Sequence, residues 1–271
     1  MKTMTPHQPL LRLSHVSRET RDIKDNAKTL LDDVTWELSV GKRIALISTS
    51  SLSARAFLEC AAGVVPPQKG TVTINANISW PLGARGGLIN NLTARQNAAF
   101  LHGIYGEYGK LNQSLDFISD LAELDKTLFN RPVKNYSKIM RSRLYLAISL
   151  AFDFDAYIVP KTFAWSSSAS SDRALRLRFQ EALMRRVEGK SLIMAHTDFN
   201  IVERFCTDGI ILDKGIIAFS GSLQECRNWH ENNIGSRVVE DDNEIEPSDD
   251  NQNQASTEAS EEQQGLDDDL W

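Results

Sequence analysis

A chain of 271 residues with 41% hydrophobic content can bury a sizeable core, in one large α/β domain or two small ones. The net charge of -6 is unevenly spread. Residues 238–271 carry 13 Asp or Glu and no Lys or Arg, which leaves 30 basic against 23 acidic residues, about +7, in residues 1–237. No run approaches the roughly 18 apolar residues of a membrane-spanning helix, and Met1 to Pro9 lacks the apolar stretch of a signal peptide. Cys60, Cys206 and Cys226 are dispersed, with neither metal spacing nor a disulfide framework, as suits a reducing cytoplasm.

Strand and helix signals alternate along the chain. Leu10 to Val16 and Val34 to Leu38 read as strands, and Gly41 turns into a strand at Arg43–Ile47. Arg55 to Ala62 reads as a helix ended by Gly63. Thr71 to Asn75 and Asn77 to Trp80 read as strands. Thr93 is an N-cap, with a helix running to about Ile104. Leu111–Leu124 and Met140–Phe152 have helical periodicity, and Tyr157–Val159 is a short buried strand. Asp172–Arg186 reads as an Arg-rich amphipathic helix, Ser191–Ala195 as a strand and Asn200–Cys206 as a helix. Ile210–Asp213 and Ile216–Phe219 form a hairpin turning at Lys214-Gly215. Ser222–His230 closes as a short helix. The alternation predicts an α/β fold with a largely parallel sheet and an antiparallel portion near the start. Residues 238–271 are too polar and charged to offset the entropy of ordering, and a disordered acidic tail is expected there.

The most informative stretch is 43–62. An apolar strand, a small-residue loop and a helix form the setting in which G-x-x-x-x-G-K-[ST] holds phosphate. The loop Ser48-Thr49-Ser50-Ser51-Leu52-Ser53 contains no glycine, and no Lys-Ser pair follows it.

Leu31-Asp32-Asp33-Val34-Thr35-Trp36-Glu37-Leu38 with Gly41-Lys42-Arg43 resembles the start of the core of an ATP-binding cassette (ABC) domain. Further matches follow in order: Cys60-Ala61-Ala62-Gly63, Pro67, Gly70-Thr71-Val72, Ile78-Ser79-Trp80-Pro81-Leu82-Gly83, Gly86-Gly87, Leu92-Thr93, Asn97 and Ile104-Tyr105-Gly106. Tyr136-Ser137, Met140 to Leu144, Ser149 to Asp155 and the hairpin Ile211 to Gly221 complete them. Their order and spacing over about residues 10–230 are similar to the ATPase subunits of capsule and O-chain polysaccharide exporters. The resemblance implies an ABC-ATPase-like, P-loop NTPase fold over residues 1–237, with a helical subdomain at about 90–155 and the tail at 238–271.

It also implies which positions should carry chemistry. A phosphate loop needs glycines so that backbone N–H groups can surround phosphate, a lysine to neutralise it and a hydroxyl to bind magnesium. Ser48, Ser51 and Ser53 occupy the glycine positions, Ala54 the lysine position and Arg55 the serine position. The Asp-Glu ending the catalytic strand, which supports magnesium and orients the attacking water, is replaced by Pro160 and Lys161. In the signature stretch Ser137 remains, but Lys138 and Ile139 stand where a small residue and glycine are expected. Ile89 falls near the magnesium-sensing glutamine, and Ser167 near the dimer-facing aspartate. The adenine-stacking aromatic is missing near Lys28 and Thr29. His196, in Ala195-His196-Thr197-Asp198, matches the switch histidine.

Ser51, Ser53, Arg55 and Ser137 are the candidate cofactor contacts and His196 a remnant of the catalytic set. ATP is expected to bind weakly at best, and no magnesium or other metal site is expected. The remaining histidines, His7, His15, His102 and His230, form no ligand set. The arginines of 172–186 lack the aromatic interleaving of a nucleic-acid module, so no nucleic-acid partner is expected.

The resulting expectation is a pseudo-ATPase subunit of a surface-polysaccharide exporter, acting through subunit contacts. Its partners would be a membrane permease and a second cassette, as homodimer or as heterodimer with an intact ATPase, at the cytoplasmic face of the inner membrane. The alternatives are a divergent subunit that binds and hydrolyses ATP, and a soluble regulator of polysaccharide assembly.

Overall fold

In the computed structural model, which describes residues 8–21, 26–84, 87–163 and 173–234, the strands divide between two sheets. Strands β1 (Leu11–Arg21), β2 (Ala27–Leu38) and β4 (Lys69–Ile74) form an antiparallel sheet in the order β2-β1-β4. The larger sheet combines β3 (Arg43–Ser48), β5 (Ile78–Pro81), β6 (Ala156–Val159), β7 (Ser191–Ala195), β8 (Asp208–Asp213) and β9 (Ile216–Ser222). Its order is β5-β6-β7-β3-β8-β9, parallel as far as β8 and closed by antiparallel β9. The expected mixture of a mostly parallel sheet with an antiparallel portion near the start is therefore present.

Every residue from Ala156 to Val159 and from Ser191 to Ala195 is buried, as expected of parallel strands covered on both faces. The pleat sends alternate side chains to opposite faces. Ala45, Ile47, Tyr157, Val159, Leu192 and Met194 join one core, which also contains the inner faces of helices α2 (Ala94–Tyr105), α3 (Leu111–Leu121) and α5 (Lys138–Ala151). Ile44, Leu46, Ala156, Ile158, Ile193 and Ala195 join the other, shared with the antiparallel sheet and α1 (Ser51–Ala61). The turn between β8 and β9 has positive φ at Lys214 (50°) and Gly215 (85°), the backbone a tight two-residue hairpin demands.

Between β5 and β6 run α2, α3, the single-turn helix α4 (Lys126–Phe129), a 3-10 turn at Val133–Asn135 and α5. Helix α6 (Arg173–Arg186) precedes β7, the short α7 (Phe199–Val202) precedes β8, and α8 (Leu223–Asn233) follows β9. Helix α1 starts four residues before the expected Arg55, because Ser50 caps it. The helix expected over Asn200–Cys206 is only Phe199–Val202, started by the Asp198 side chain. Gly86, Ser167 and the acidic stretch 238–271 lie outside the described residues.

Candidate functional site at the carboxyl edge of the sheet

Ligands of open parallel sheets bind beyond the carboxyl ends of the strands, and here register brings the sequence-predicted positions to that edge. Leu46 pairs with Ala195 and Val159 with Met194. Ser48, the pair Pro160-Lys161, and His196 therefore end β3, β6 and β7 side by side. The His196 backbone N–H donates to the Leu46 carbonyl at 3.2 Å, which fixes the end of β7 against β3.

Between β3 and α1 only Thr49 and Ser50 are left outside regular structure. The serines then bind one another. Ser48 Oγ donates to the Ser50 carbonyl (2.9 Å) and accepts from the Ser50 N–H (3.2 Å). Ser50 Oγ accepts from the Ser53 N–H (3.2 Å), and the Ser50 carbonyl accepts from the Ala54 N–H (3.1 Å). Thr49 is tied to β8, its N–H donating to the Leu212 carbonyl (3.3 Å) and its Oγ1 to Asp213 Oδ1 (2.8 Å). The amides of Thr49, Ser50, Ser53 and Ala54 thus have partners inside the protein. Ser53 is buried, and Ser51 Oγ is shielded from solvent with no hydrogen-bond partner. Arg55 points its Nε to Glu59 Oε1 one turn along α1 (2.8 Å).

The second helix start follows the same plan. Ser137 is the N-cap of α5, its Oγ accepting from the Met140 N–H at 3.2 Å, with Lys138 and Ile139 in the first turn. Ile139 is about half exposed (47%), as is Ile89 (48%). The Ile89 backbone is clamped by Asn97, which is 1% exposed. Asn97 Oδ1 accepts from the Ile89 N–H (2.8 Å) and its Nδ2 donates to the Ile89 carbonyl (3.0 Å). The same segment is stapled from the other side, where the Val133 and Lys134 amides donate to the Leu92 and Asn90 carbonyls.

His196 is half-buried, and its Nδ1 accepts from the Asp198 N–H at 3.0 Å. Desolvation holds its pKa below the ordinary 6.5. Asp198 pulls it up, and the nearby Lys161 ammonium pushes it further down. The neutral imidazole is thus favoured, beside a positive charge where the resemblance expects a carboxylate. No group of three or more His, Cys, Asp or Glu able to hold a metal is found among the described residues. Pro160 has no side-chain oxygen and Lys161 repels a cation, so the strand ends do not fit magnesium.

Sequence reasoning singled out Ser51, Ser53, Arg55, Ser137 and His196. It missed the two residues that organise the first helix start, Thr49 and Ser50. Spacing carried a signal for the latter, since a serine three residues before Ser53 is the pattern of an N-cap bond. It also gave Asn97 no role, although an Asn facing the core of an otherwise apolar helix face must find partners.

No family model matches the chain. It is 33% identical over 185 residues to the polysialic acid transport ATP-binding protein KpsT of Escherichia coli, covering 68% of this chain and 80% of that protein. It is 26% identical over 210 residues to the capsule polysaccharide export ATP-binding protein CtrD of Neisseria meningitidis serogroup B, covering 76% and 91%. Among solved structures, it superposes with a TM-score of 0.61 on an ATP-binding cassette in a dimeric post-hydrolysis state bound to ADP and Pi, at 17% identity and covering 79% and 98%. An ATP-binding subunit of an ABC transporter superposes with a TM-score of 0.63, at 18% identity and covering 81% and 92%. These distant structures share the fold, and the sequence relatives place the chain more narrowly: it belongs to the ABC ATP-binding proteins of the capsule and polysaccharide export type.

Proposed function

We propose that this chain is a cassette subunit of a surface-polysaccharide exporter that keeps the ABC fold without turning over ATP. Its work is done through contacts with a membrane permease and a second cassette, at the cytoplasmic face of the membrane. The observation that carries this reading is the self-bonded serine loop, whose amides at 49, 50, 53 and 54 are already paired. Phosphoryl transfer rests almost entirely on positioning and electrostatic stabilisation. Loss of one preorganised donor typically costs about 100- to 1,000-fold in rate. Here Ala54, Pro160, Lys161 and Ile139 stand where the family resemblance expects four such groups, and groups that act together do not lose rate additively. No helix among the described residues is long and apolar enough to cross a membrane, so attachment to one would run through the permease.

Titration with ATP and magnesium followed by phosphate release tests the reading. The expected result is no saturable hydrolysis, with His196→Ala indistinguishable from the parent. Saturable, magnesium-dependent turnover that disappears in His196→Ala would overturn it. Gentle extraction should also co-purify a permease or a second cassette, and its failure to do so counts against the subunit role. One observation favours the divergent hydrolysing subunit as the second reading: His196 still sits at the carboxyl end of β7, against the end of β3.

A further inference from the structure

Helices α3 and α6 leave a groove of about 390 Å³ between them. Its lining is of two kinds. Phe117 and Leu121 from α3 and Ala182 from α6 supply an apolar floor. Arg178, Arg185 and Arg186, with Asp120 and Glu181, supply a charged rim.

The three guanidinium groups are not equivalent. Arg178 is engaged with acids, its Nη2 donating to Asp120 Oδ2 at 2.9 Å and its Nη1 to Glu123 Oε1 at 3.4 Å. Arg186 lies over the Phe117 ring, 5.3 Å from its centroid, and donates from Nη2 to the Ala151 carbonyl at 3.1 Å. That arrangement anchors the cation without neutralising it. Arg185 is exposed and has no ion pair or hydrogen bond among the described residues. Glu181, one turn earlier on the same helix, does not pair with it. The lining holds three cations against two acids, but Glu123 just outside it also engages Arg178, so the positive charge not met by an acid rests on Arg185 and Arg186.

An apolar floor with a few convergent polar groups, in a space of roughly 300–1,000 Å³, is the composition of a small-molecule site. Phe117 and Leu121 suit an aliphatic body. The Arg185–Arg186 pair suits one anionic oxygen group, because guanidinium is weakly hydrated and presents parallel N–H donors. The acids around the rim disfavour a polyanion such as a nucleoside triphosphate.

We propose that the groove between α3 and α6 binds a singly charged amphiphilic anion of the phosphodiester kind, its head on Arg185 and Arg186 and its apolar body on Phe117, Leu121 and Ala182. The amphiphile can come from solution or be a headgroup presented by a bilayer. The groove shares no lining residue with the strand-edge positions, so it stands or falls separately from the ATPase question.

The test uses the full chain and calorimetry with dihexanoyl phosphatidylglycerol below its micelle-forming concentration. Glycerol phosphate and ATP are the probes that lack the apolar body or carry too much charge. The expected result is saturable binding of the lipid, at least tenfold weaker binding of glycerol phosphate and ATP, and at least a tenfold loss in Arg185→Glu and Ala182→Trp. Lys69→Glu, on β4, should bind as the parent does. Co-sedimentation with phosphatidylglycerol vesicles forms the second arm. Binding confined to vesicles and lost in the same two variants supports the same chemistry with the bilayer as its source. Absence of binding in both arms overturns the proposal, as does binding indifferent to both substitutions, or glycerol phosphate or ATP binding as tightly as the lipid. Should Ala182→Trp fail to fold, the exposed Arg185→Glu decides alone.

Discussion

The interiors of β3, β6 and β7 and their carboxyl ends obey different rules. Inside the sheet each side chain faces one of two cores, and little but an apolar residue of suitable size fits. Past the last pairs of β6 and β7 that constraint stops, and Pro160, Lys161 and His196 are half-buried or exposed. A fold with this division can exchange the groups at its strand ends while keeping the strands. That is how a chain can belong to a family of ATP-binding proteins and still carry alanine, proline and lysine where the family resemblance expects a lysine and two carboxylates.

The largest effect should come from the interior. Leu46 is 1% exposed and packs in the core beneath α1. Leu46→Ala should lower unfolding free energy by about 2–5 kcal/mol, the range for deleting a buried leucine side chain. Urea denaturation followed by circular dichroism measures it, and a loss under about 1 kcal/mol would mean that strand interior and strand end are not the separate regions described.

Next comes Asn97, the buried polar residue that serves the Ile89 segment. Asn97→Ala removes the partners of both the N–H and the carbonyl of Ile89, and losing hydrogen bonds of this kind costs about 0.5–1.5 kcal/mol each. The readout that singles out the clamp is hydrogen exchange: amides from 88 to 93 should lose protection well beyond any change in β6 or β7. Uniform acceleration across the chain would point instead to general destabilisation.

Smaller again is the cap of α1. Ser50→Ala deletes the acceptor of the Ser53 N–H and should cost about 1 kcal/mol, read from the same denaturation curves. The substitution also bears on function. If the self-bonded loop is what excludes phosphate, freeing one amide should not create ATP binding, because Ala54, Pro160 and Lys161 remain. A Ser50→Ala variant that binds ATP would show that the serine cap alone closes the site.

How far the sequence discloses this molecule follows the same division. Ser191–Ala195 is a strand with the bounds expected from its apolar run, and Thr93 is the N-cap its neighbours indicated, completed by Gln96. Periodic burial writes itself into sequence. The start of α1 does not, because four small polar residues read equally well as a loop, and only the Ser50–Ser53 bond tips them into helix. The single-turn helix Lys126–Phe129 is shorter than the two periods a pattern needs to be seen. The juxtaposition of Lys161 with His196 depends on the register of β6 against β7, two strands separated by more than 30 residues, and no local pattern carries that. The resemblance to a family supplied those positions, and the register explains why they meet.

The smallest expected change in stability accompanies the most specific electrostatic one. Lys161 is exposed, so Lys161→Glu should alter unfolding free energy by no more than about 0.5 kcal/mol at pH 7.5, the usual range for a surface substitution. Its effect on His196 should be plain. In the folded chain the His196 pKa lies below the ordinary 6.5, through desolvation first and the Lys161 charge among the lesser causes. The unfolded chain therefore takes up the proton more readily than the folded one. This histidine's contribution makes the protein less stable as pH falls through about 6.5, and that loss is absent at higher pH. A carboxylate in place of the ammonium reverses one of the downward pushes. The His196 pKa should rise, and the loss of stability between about pH 7 and 5 should shrink. Desolvation, the larger cause, persists in the variant. An NMR titration of the His196 ring, assigned by its disappearance in His196→Ala, reads the pKa directly, and the denaturation midpoint at several pH values reads the linkage. An unchanged pKa in Lys161→Glu would mean that the two side chains are not neighbours at the strand edge, and the positively charged site inferred there would have to be abandoned.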